Sequence, residues 1–261
     1  MNRYITYWKN FNNYKYLLSL LVAKNIKKKY RGSYLGVLWS FLNPLFHMIV
    51  LSIVFSTLFN RHIENFPVYL LCGSLLFQFF STSTTQSMNS IIASANIIKK
   101  VYMPKYLATL ATIISNFVSF LISIVVLAIT MIATQANVTW YILLAPLYLV
   151  LFFFFVCGIG LIMATITVFF RDIEHIYGVL ITMLSFASAI FYPAEIIPEN
   201  YRFVLTYNPL FHFIDGFRDL VYVGTMPSAL NIIICFSITI ISIVAGVFAF
   251  VKYQDKFILY L

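Results

Sequence analysis

Charge is what this chain lacks most. Only 10% of its 261 residues are Asp, Glu, Lys or Arg, 62% are hydrophobic, and the mean hydropathy is +0.92. A soluble domain has about a quarter of its residues charged, so a fully water-solvated surface is excluded. Carboxylates are scarcest, 8 against 17 basic residues, and they are scattered. That removes the grouped acids a membrane glycosyltransferase needs for metal and sugar phosphate. Cysteine is almost missing: Cys72, Cys157 and Cys235 lie singly in apolar runs, odd in number and without metal spacing. They read as small buried or lipid-facing residues. The 4 histidines contain no pair at ligand spacing. His47 sits in an apolar run, and His62, His175 and His212 near helix ends, as hydrogen-bonded interface residues. No glycine leads into Lys-Ser or Lys-Thr, so the phosphate-cradling loop of an ATPase is missing. Ionisable groups are also missing from the middle of the apolar runs, His47 apart. A proton- or sodium-coupled transporter would carry them there, so any driving energy would arrive through a partner.

Long apolar runs are what the chain has in abundance. Runs of about 20 residues recur, as spanning helices require, whereas a membrane β-barrel shows short alternating segments. The expectation is an all-α integral membrane protein, one domain without internal repeats. Its six spans fall at about 37–59, 67–88, 106–133, 141–169, 176–192 and 229–251. Pro44 should kink the first. The Ser- and Thr-rich half of the second, Ser81 to Ser90, should face protein or a polar path and not lipid. Pro193 should stop the fifth. Six spans place both termini on one side, with 14 Lys and Arg there against 3 on the other among the 17 present. By the positive-inside rule that side is cytoplasmic. The net charge of +9 therefore reports topology, not a nucleic-acid partner.

Residues 1–35 are basic and aromatic. Tyr14, Leu17, Leu18 and Leu21 share one helical face, with Lys15, Lys24, Lys27 and Lys28 mostly off it. This suggests an amphipathic interface helix in the headgroup plane; an ordinary cytoplasmic tail is the alternative. Leu17 to Val22 is too short for a signal-peptide core. The cytoplasmic loop Asn89 to Lys105 has room for a short helix between Lys99-Lys100 and Pro104. The outer segment 193–227 is too apolar for a solvated loop, with Leu205, Leu210, Phe213, Ile214 and Phe217 among many that need burial. Asn208-Pro209 has the N-cap and first-turn proline of a helix start. A re-entrant pair of short helices turning near Tyr207-Asn208 fits, as does an amphipathic pair lying on the outer surface.

The chain is organised around Lys27 to Leu45. A basic cluster (Lys27, Lys28, Lys29, Arg31) runs through Tyr30, Gly32, Tyr34 and Gly36 into an apolar helix bearing Trp39 and Asn43-Pro44. Lys29-Tyr30-Arg31-Gly32-Ser33-Tyr34-Leu35-Gly36-Val37-Leu38-Trp39, followed by Leu42-Asn43-Pro44-Leu45, resembles the first segment of ABC transporter type 2 permeases that export bacterial polysaccharides. Phe169-Phe170-Arg171-Asp172-Ile173-Glu174-His175, then Phe191-Tyr192-Pro193, Asn208-Pro209-Leu210 and Phe217-Arg218-Asp219 continue the resemblance in order. The permeases for O-antigen, capsule and teichoic acid are nearest in pattern.

The resemblance implies a non-enzymatic half-transporter. Two copies would form a homodimeric channel in a bacterial plasma (inner) membrane, with two ATP-binding cassette subunits below it. This chain would hold no cofactor; ATP and Mg would bind the partner ATPase. The cargo would be a polyprenyl-pyrophosphate-linked glycan. Carried over, the ATPase contact falls on Asn96, Lys99, Lys100 and Pro104, with Arg171, Asp172, Glu174 and His175 as a second patch. Lys27, Lys28, Lys29, Tyr30, Arg31, Tyr34 and Trp39 would receive the pyrophosphate, or the charges would serve only as topology anchors. Phe191, Tyr192, Tyr201, Phe203 and Phe211 would form an outer aromatic ring on which sugar faces stack. Export of a drug or small lipid, and a membrane-embedded enzyme of glycolipid synthesis, are the competing functions.

Overall fold

The structure is a computed structural model that describes residues 2–59, 63–100 and 103–260, with side chains described for 14–55 and throughout the two later ranges. Arg61 and His62 of the sequence reading lie outside it, as do the side chains of Arg3 and Lys9. Every regular element among the described residues is helical. In order they are α1 (Asn2–Tyr30), α2 (Trp39–Phe59), α3 (Phe66–Ala93), α4 (Ala95–Ile98) and α5 (Tyr106–Ala133). There follow α6 (Ala145–Phe169), α7 (Ile173–Ala187), α8 (Phe203–Thr206), α9 (Pro209–Arg218), α10 (Ala229–Tyr253) and α11 (Phe257–Tyr260). Short 3-10 turns precede α2 and α6, and a π turn, Asp219–Val223, continues α9.

Five stretches among the described residues are long and apolar enough to cross a membrane: Gly36–Phe55, Phe66–Ala93, Tyr106–Ala133, Trp140–Phe169 and Ala229–Tyr260. The shorter apolar helix Ile173–Ala187 stands where the sequence suggests a fifth crossing at 176–192. Its end is the main difference. It stops at Ala187, not at Pro193, and Ala189 takes a left-handed φ of +48°. Side chains from the outer segment occupy the carbonyls released there. Asn208 Nδ2 donates to Ala187 O at 2.9 Å, and Arg218 donates to Ala189 O and Ile190 O at 2.9 Å each. Backbone carbonyls so capped need no further helical turn.

Helix α3 is the hub, packed between α5 and α6 and touching α2, α7 and α9. In its most apolar stretch 67% of the residues are buried, against 11% in the first crossing. Four of its serine and threonine side chains turn inward, Ser83, Thr84, Ser87 and Ser90, whereas Thr85 is exposed and Ser81 and Thr82 are half-exposed. Thr84 Oγ1 donates to Phe80 O at 2.8 Å and accepts from Tyr177 OH at 2.7 Å; Ser90 shares a 2.9 Å hydrogen bond with Thr109. Lipid tails are as apolar as these cores, so close packing and such bonds, not water exclusion, hold spanning helices together. The rings of Phe79, Phe120, Phe152, Phe155 and Phe213 supply much of that packing, at centroid distances from 5.0 Å. Where α6 meets α10, a Cβ on Gly246 would lie 2.4 Å from Gly158 O, and one on Gly158 2.4 Å from the Ser242 carbonyl carbon. Backbones this close require glycine.

One face of α1 packs on the bundle. Leu21 is buried, and Tyr14, Leu17, Leu18 and Val22 pack with it against a cluster of Ile98, Met103, Leu107 and Phe257. Lys15, Lys24, Lys27 and Lys28 are exposed. In the outer segment, α8 and α9 turn at Tyr207-Asn208, and Asn208 Oδ1 accepts from Leu210 N at 3.0 Å, the N-cap read from sequence. Leu210, Phe213, Ile214 and Phe217 are buried, while Phe203, Val204 and Ile196 stay exposed.

Candidate functional site

A polar cavity of about 310 Å³ opens where the end of α1, the start of α2, and the middles of α3 and α5 meet. The chain reaches it through two glycines. After α1 ends at Tyr30, Gly32 (φ +78°) and Gly36 (φ +49°) take left-handed conformations that other residues rarely adopt. They turn the chain so that Ser40, on the first turn of α2, meets Tyr30. Tyr30 OH is hydrogen-bonded to Ser40 Oγ and, at 3.2 Å, to Ser119 Oγ. Lys29 Nζ donates to Ser119 Oγ at 3.0 Å and lies 5.6 Å from the Tyr30 ring centroid. Ser123 Oγ donates to Ser40 O at 2.8 Å. These bonds tie three helices at the cavity mouth. Burial raises the Tyr30 phenol pKa, but the Ser119 and Ser40 hydrogen bonds and the Lys29 charge outweigh it and hold the phenol below its ordinary value.

Deeper in, Asn116 Nδ2 donates to Gln86 Oε1 at 3.0 Å and joins α5 to α3. Asn43, Gln78 and Thr82 also line the cavity, beside Trp39, Phe79 and Phe120. Their side chains make no hydrogen bond to any described residue, so amide and hydroxyl groups are free for a ligand. Among the described residues of the lining, Lys29 is the one that is charged and none is a carboxylate. The polar pattern continues beyond the cavity: on α3 Thr85 and Asn89 extend the stripe of Gln78 and Thr82, exposed or half-exposed, and on α2 His47 extends that of Ser40 and Asn43. Hydrocarbon would leave such groups unpaired, so these faces suit a watery path or a second protein surface.

A family model for the ABC-2 type transporter matches residues 16–222, which include the whole cavity and the outer helices. The chain belongs to the ABC-2 type transporter family. Among similar proteins is the O-antigen export system permease protein RfbA of Klebsiella pneumoniae, 32% identical over 93% of this chain and 95% of the relative. The RfbA permease of Myxococcus xanthus is 28% identical over 94% and 95%. The polysialic acid transport protein KpsM of Escherichia coli is 27% identical over 90% and 93%. This chain is thus a multi-pass helical membrane protein, and its relatives are transport permeases.

Within this ABC-2 chain the residues singled out from sequence separate into groups. Lys29, Tyr30 and Trp39 line the cavity, Lys29 and Trp39 being also exposed, whereas Lys27, Lys28, Arg31 and Tyr34 are exposed and do not line it. Asn96, Lys99 and Lys100 are exposed on or next to α4, with Pro104 half-buried beyond. Arg171, Asp172 and His175 are exposed and Glu174 half-buried, at the same end of the bundle; Phe169 packs on the cluster that contains Ile98 and Met103. The five outer aromatics do not form a ring within one chain. Phe191 stacks on Phe55 at 6.1 Å and neighbours Phe186, and Tyr192 OH donates to Phe186 O. Phe211 lines a second cavity of about 320 Å³ with Glu195, Arg202 and Leu205. Tyr201 and Phe203 are exposed.

Sequence reasoning missed two groups of side chains. One is the α3–α5 wall of the cavity. Asn116, Ser119 and Ser123 recur at i, i+3 and i+7 in an otherwise apolar helix, and that periodicity was a usable signal. The other is Arg218, read from sequence as part of the Phe217-Arg218-Asp219 pattern and as an outer-side charge, with no partner named. It is 5% exposed, its guanidinium carbon lies 3.6 Å from the Tyr69 ring centroid, and its fork spans the two carbonyls beyond α7. Tyr69 OH in turn donates to Tyr192 O at 2.9 Å.

Proposed function

We propose that this ABC-2 chain is the membrane-spanning subunit of an ATP-driven exporter of a lipid-linked polysaccharide, O-antigen-like or capsule-like. The observation that carries the reading is the polar cavity with a basic rim at the start of the first crossing. Relatives named for O-antigen and polysialic acid export support the cargo class. Two copies form the channel, each contributing six crossings, with Ile173–Ala187 and the re-entrant α8–α9 pair completing the set. Both termini face the cytoplasm of a bacterium, and the protein lies in its inner membrane.

A polyprenyl pyrophosphate is a dense anion at headgroup depth. Lys27, Lys28, Lys29 and Arg31 attract it there, each with about 1 kcal/mol. The glycan then passes along the polar faces of α2 and α3 towards the outer aromatics Phe191, Tyr192, Tyr201, Phe203 and Phe211. Separate ATPase subunits bind ATP and Mg and hydrolyse the nucleotide. They dock on Asn96 to Pro104 and on Arg171 to His175.

Deleting the gene and imaging the cell surface tests this reading. Loss of surface polysaccharide with accumulation of the polymer inside is the expected result. Normal surface polymer without internal accumulation would refute it, and growth inhibition by small compounds beside an intact glycan would point to a drug or small-lipid exporter.

A further inference from the structure

We propose that the cavity between α2, α3 and α5 is a glycosyl subsite, one that holds the first sugar ring of the cargo, next to the diphosphate. The proposal rests on the reading of the basic rim as the diphosphate receiver. The lining matches a polyol in its chemistry. Asn43 and Gln78 each offer an amide that both donates and accepts, and Thr82 offers a hydroxyl that does the same. A sugar hydroxyl also donates and accepts, so each can be paired on both counts. Trp39 and Phe79 supply flat apolar surface for the C–H face of a sugar ring. Lys29 uses one of its three ammonium donors on Ser119 and keeps two for an anion at the mouth. With no carboxylate in the lining, a neighbouring phosphate meets no opposing charge.

The volume, about 310 Å³, sits at the lower end of small-ligand sites, roughly 300–1,000 Å³. That suits a ring or two, not a polymer. An alkyl chain in the same space would leave two amides and a hydroxyl unpaired, which such sites reject strongly. The buried Asn208 and Asn231 of the outer segment spend their amides on the protein itself, whereas Asn43 and Gln78 make no hydrogen bond to a described residue.

The test uses the permease–ATPase complex reconstituted in nanodiscs. Trp8→Phe and Trp140→Phe leave Trp39, in the cavity wall, as the single indole of the permease. Its fluorescence is titrated with farnesyl diphosphate and with farnesyl diphosphates carrying a hexose or an N-acetylhexosamine. The expected result is that at least one glycosylated form binds about tenfold or more tighter than the bare diphosphate. Gln78→Leu and, separately, Thr82→Val should each bring that ratio close to one. If bare and glycosylated forms bind equally in the parent, the subsite is refuted while the diphosphate receiver stands. A preference for sugar that survives both substitutions also refutes it, since the ring is then read elsewhere. Should neither class of compound bind, the receiver reading fails and the subsite falls with it.

Discussion

Arg218→Lys is the substitution for which the structure makes the sharpest demand. The side chain is nine-tenths or more buried, and no carboxylate forms an ion pair with it among the described residues. Its partners are two backbone carbonyls at 2.9 Å and the face of Tyr69 at 3.6 Å. Lysine keeps the charge but has neither the fork that spans both carbonyls nor the flat surface that stacks on the ring. Losing one hydrogen bond from a charged group costs about 1.5–3 kcal/mol. Losing a desolvated cation–π contact costs up to about 2 kcal/mol more. The sum is about 3 kcal/mol. Arg218→Met orphans both carbonyls, yet it also removes the burial of a charge, which returns several kcal/mol. The expected order is therefore that the lysine variant is no more stable than the methionine variant.

Two measurements check this. Unfolding of the purified protein in mixed SDS micelles gives the free energies. The rate of maleimide labelling at Cys72, fully buried and next to the Gly73 backbone on which Arg218 rests, reports whether the outer segment has loosened. Arg218→Lys should lower stability by about 3 kcal/mol and speed labelling. A lysine variant within about 0.5 kcal/mol of the parent, with unchanged labelling, would show that the guanidinium fork does not anchor α9 to α7.

Asn208→Ala removes an N-cap and two bonds to the end of α7. It should cost about 2–3 kcal/mol in the same micelle assay. Gly246→Val should abolish the folded protein, because its Cβ would meet Gly158 O at 2.4 Å; Gly178→Ala, with nothing within 4 Å, should leave stability unchanged or raise it by up to about 1 kcal/mol. Folded yield by size-exclusion chromatography separates the two. Replacing Lys27, Lys28 and Arg31 together by glutamine should lower export per inserted molecule, measured as surface glycan normalised to membrane-inserted protein. Inverted or lost protein with unchanged export per molecule would reduce the cluster to a topology anchor.

Much of the architecture was legible because membrane helices obey few rules. Length and hydropathy located each long crossing, and the inward turn of Ser83, Thr84 and Ser87 followed from the cost of hydroxyls against hydrocarbon. The Asn208 cap followed from local chemistry alone. What was not legible depends on partners distant in sequence. The end of α7 at Ala187 is set by Asn208 and Arg218, 21 and 29 residues further from the groups they bind. The cavity needs Lys29 and Ser119 to meet across 90 residues. A pattern within one helix can show that a polar face exists, but only the packing shows which faces share a space.

The protein holds two polar systems, and the difference between them carries the functional argument. At the outer segment the polar side chains are largely spent: Asn208 fills the end of α7, Arg218 its last carbonyls, and Tyr148 and Asn231 both bind His212 O. That system fixes geometry. At the start of the first crossing, only the rim is spent, where Lys29, Tyr30, Ser40 and Ser119 join three helices. Beyond the rim, the exposed Asn43 and Gln78 and the half-exposed Thr82 make no hydrogen bond to a described residue and are open to water or a ligand. Beside the exposed Lys29 they are the groups that the proposed anion-bearing cargo would meet, so recognition, as proposed, falls on the walls of α2 and α3 as well as on the lysines.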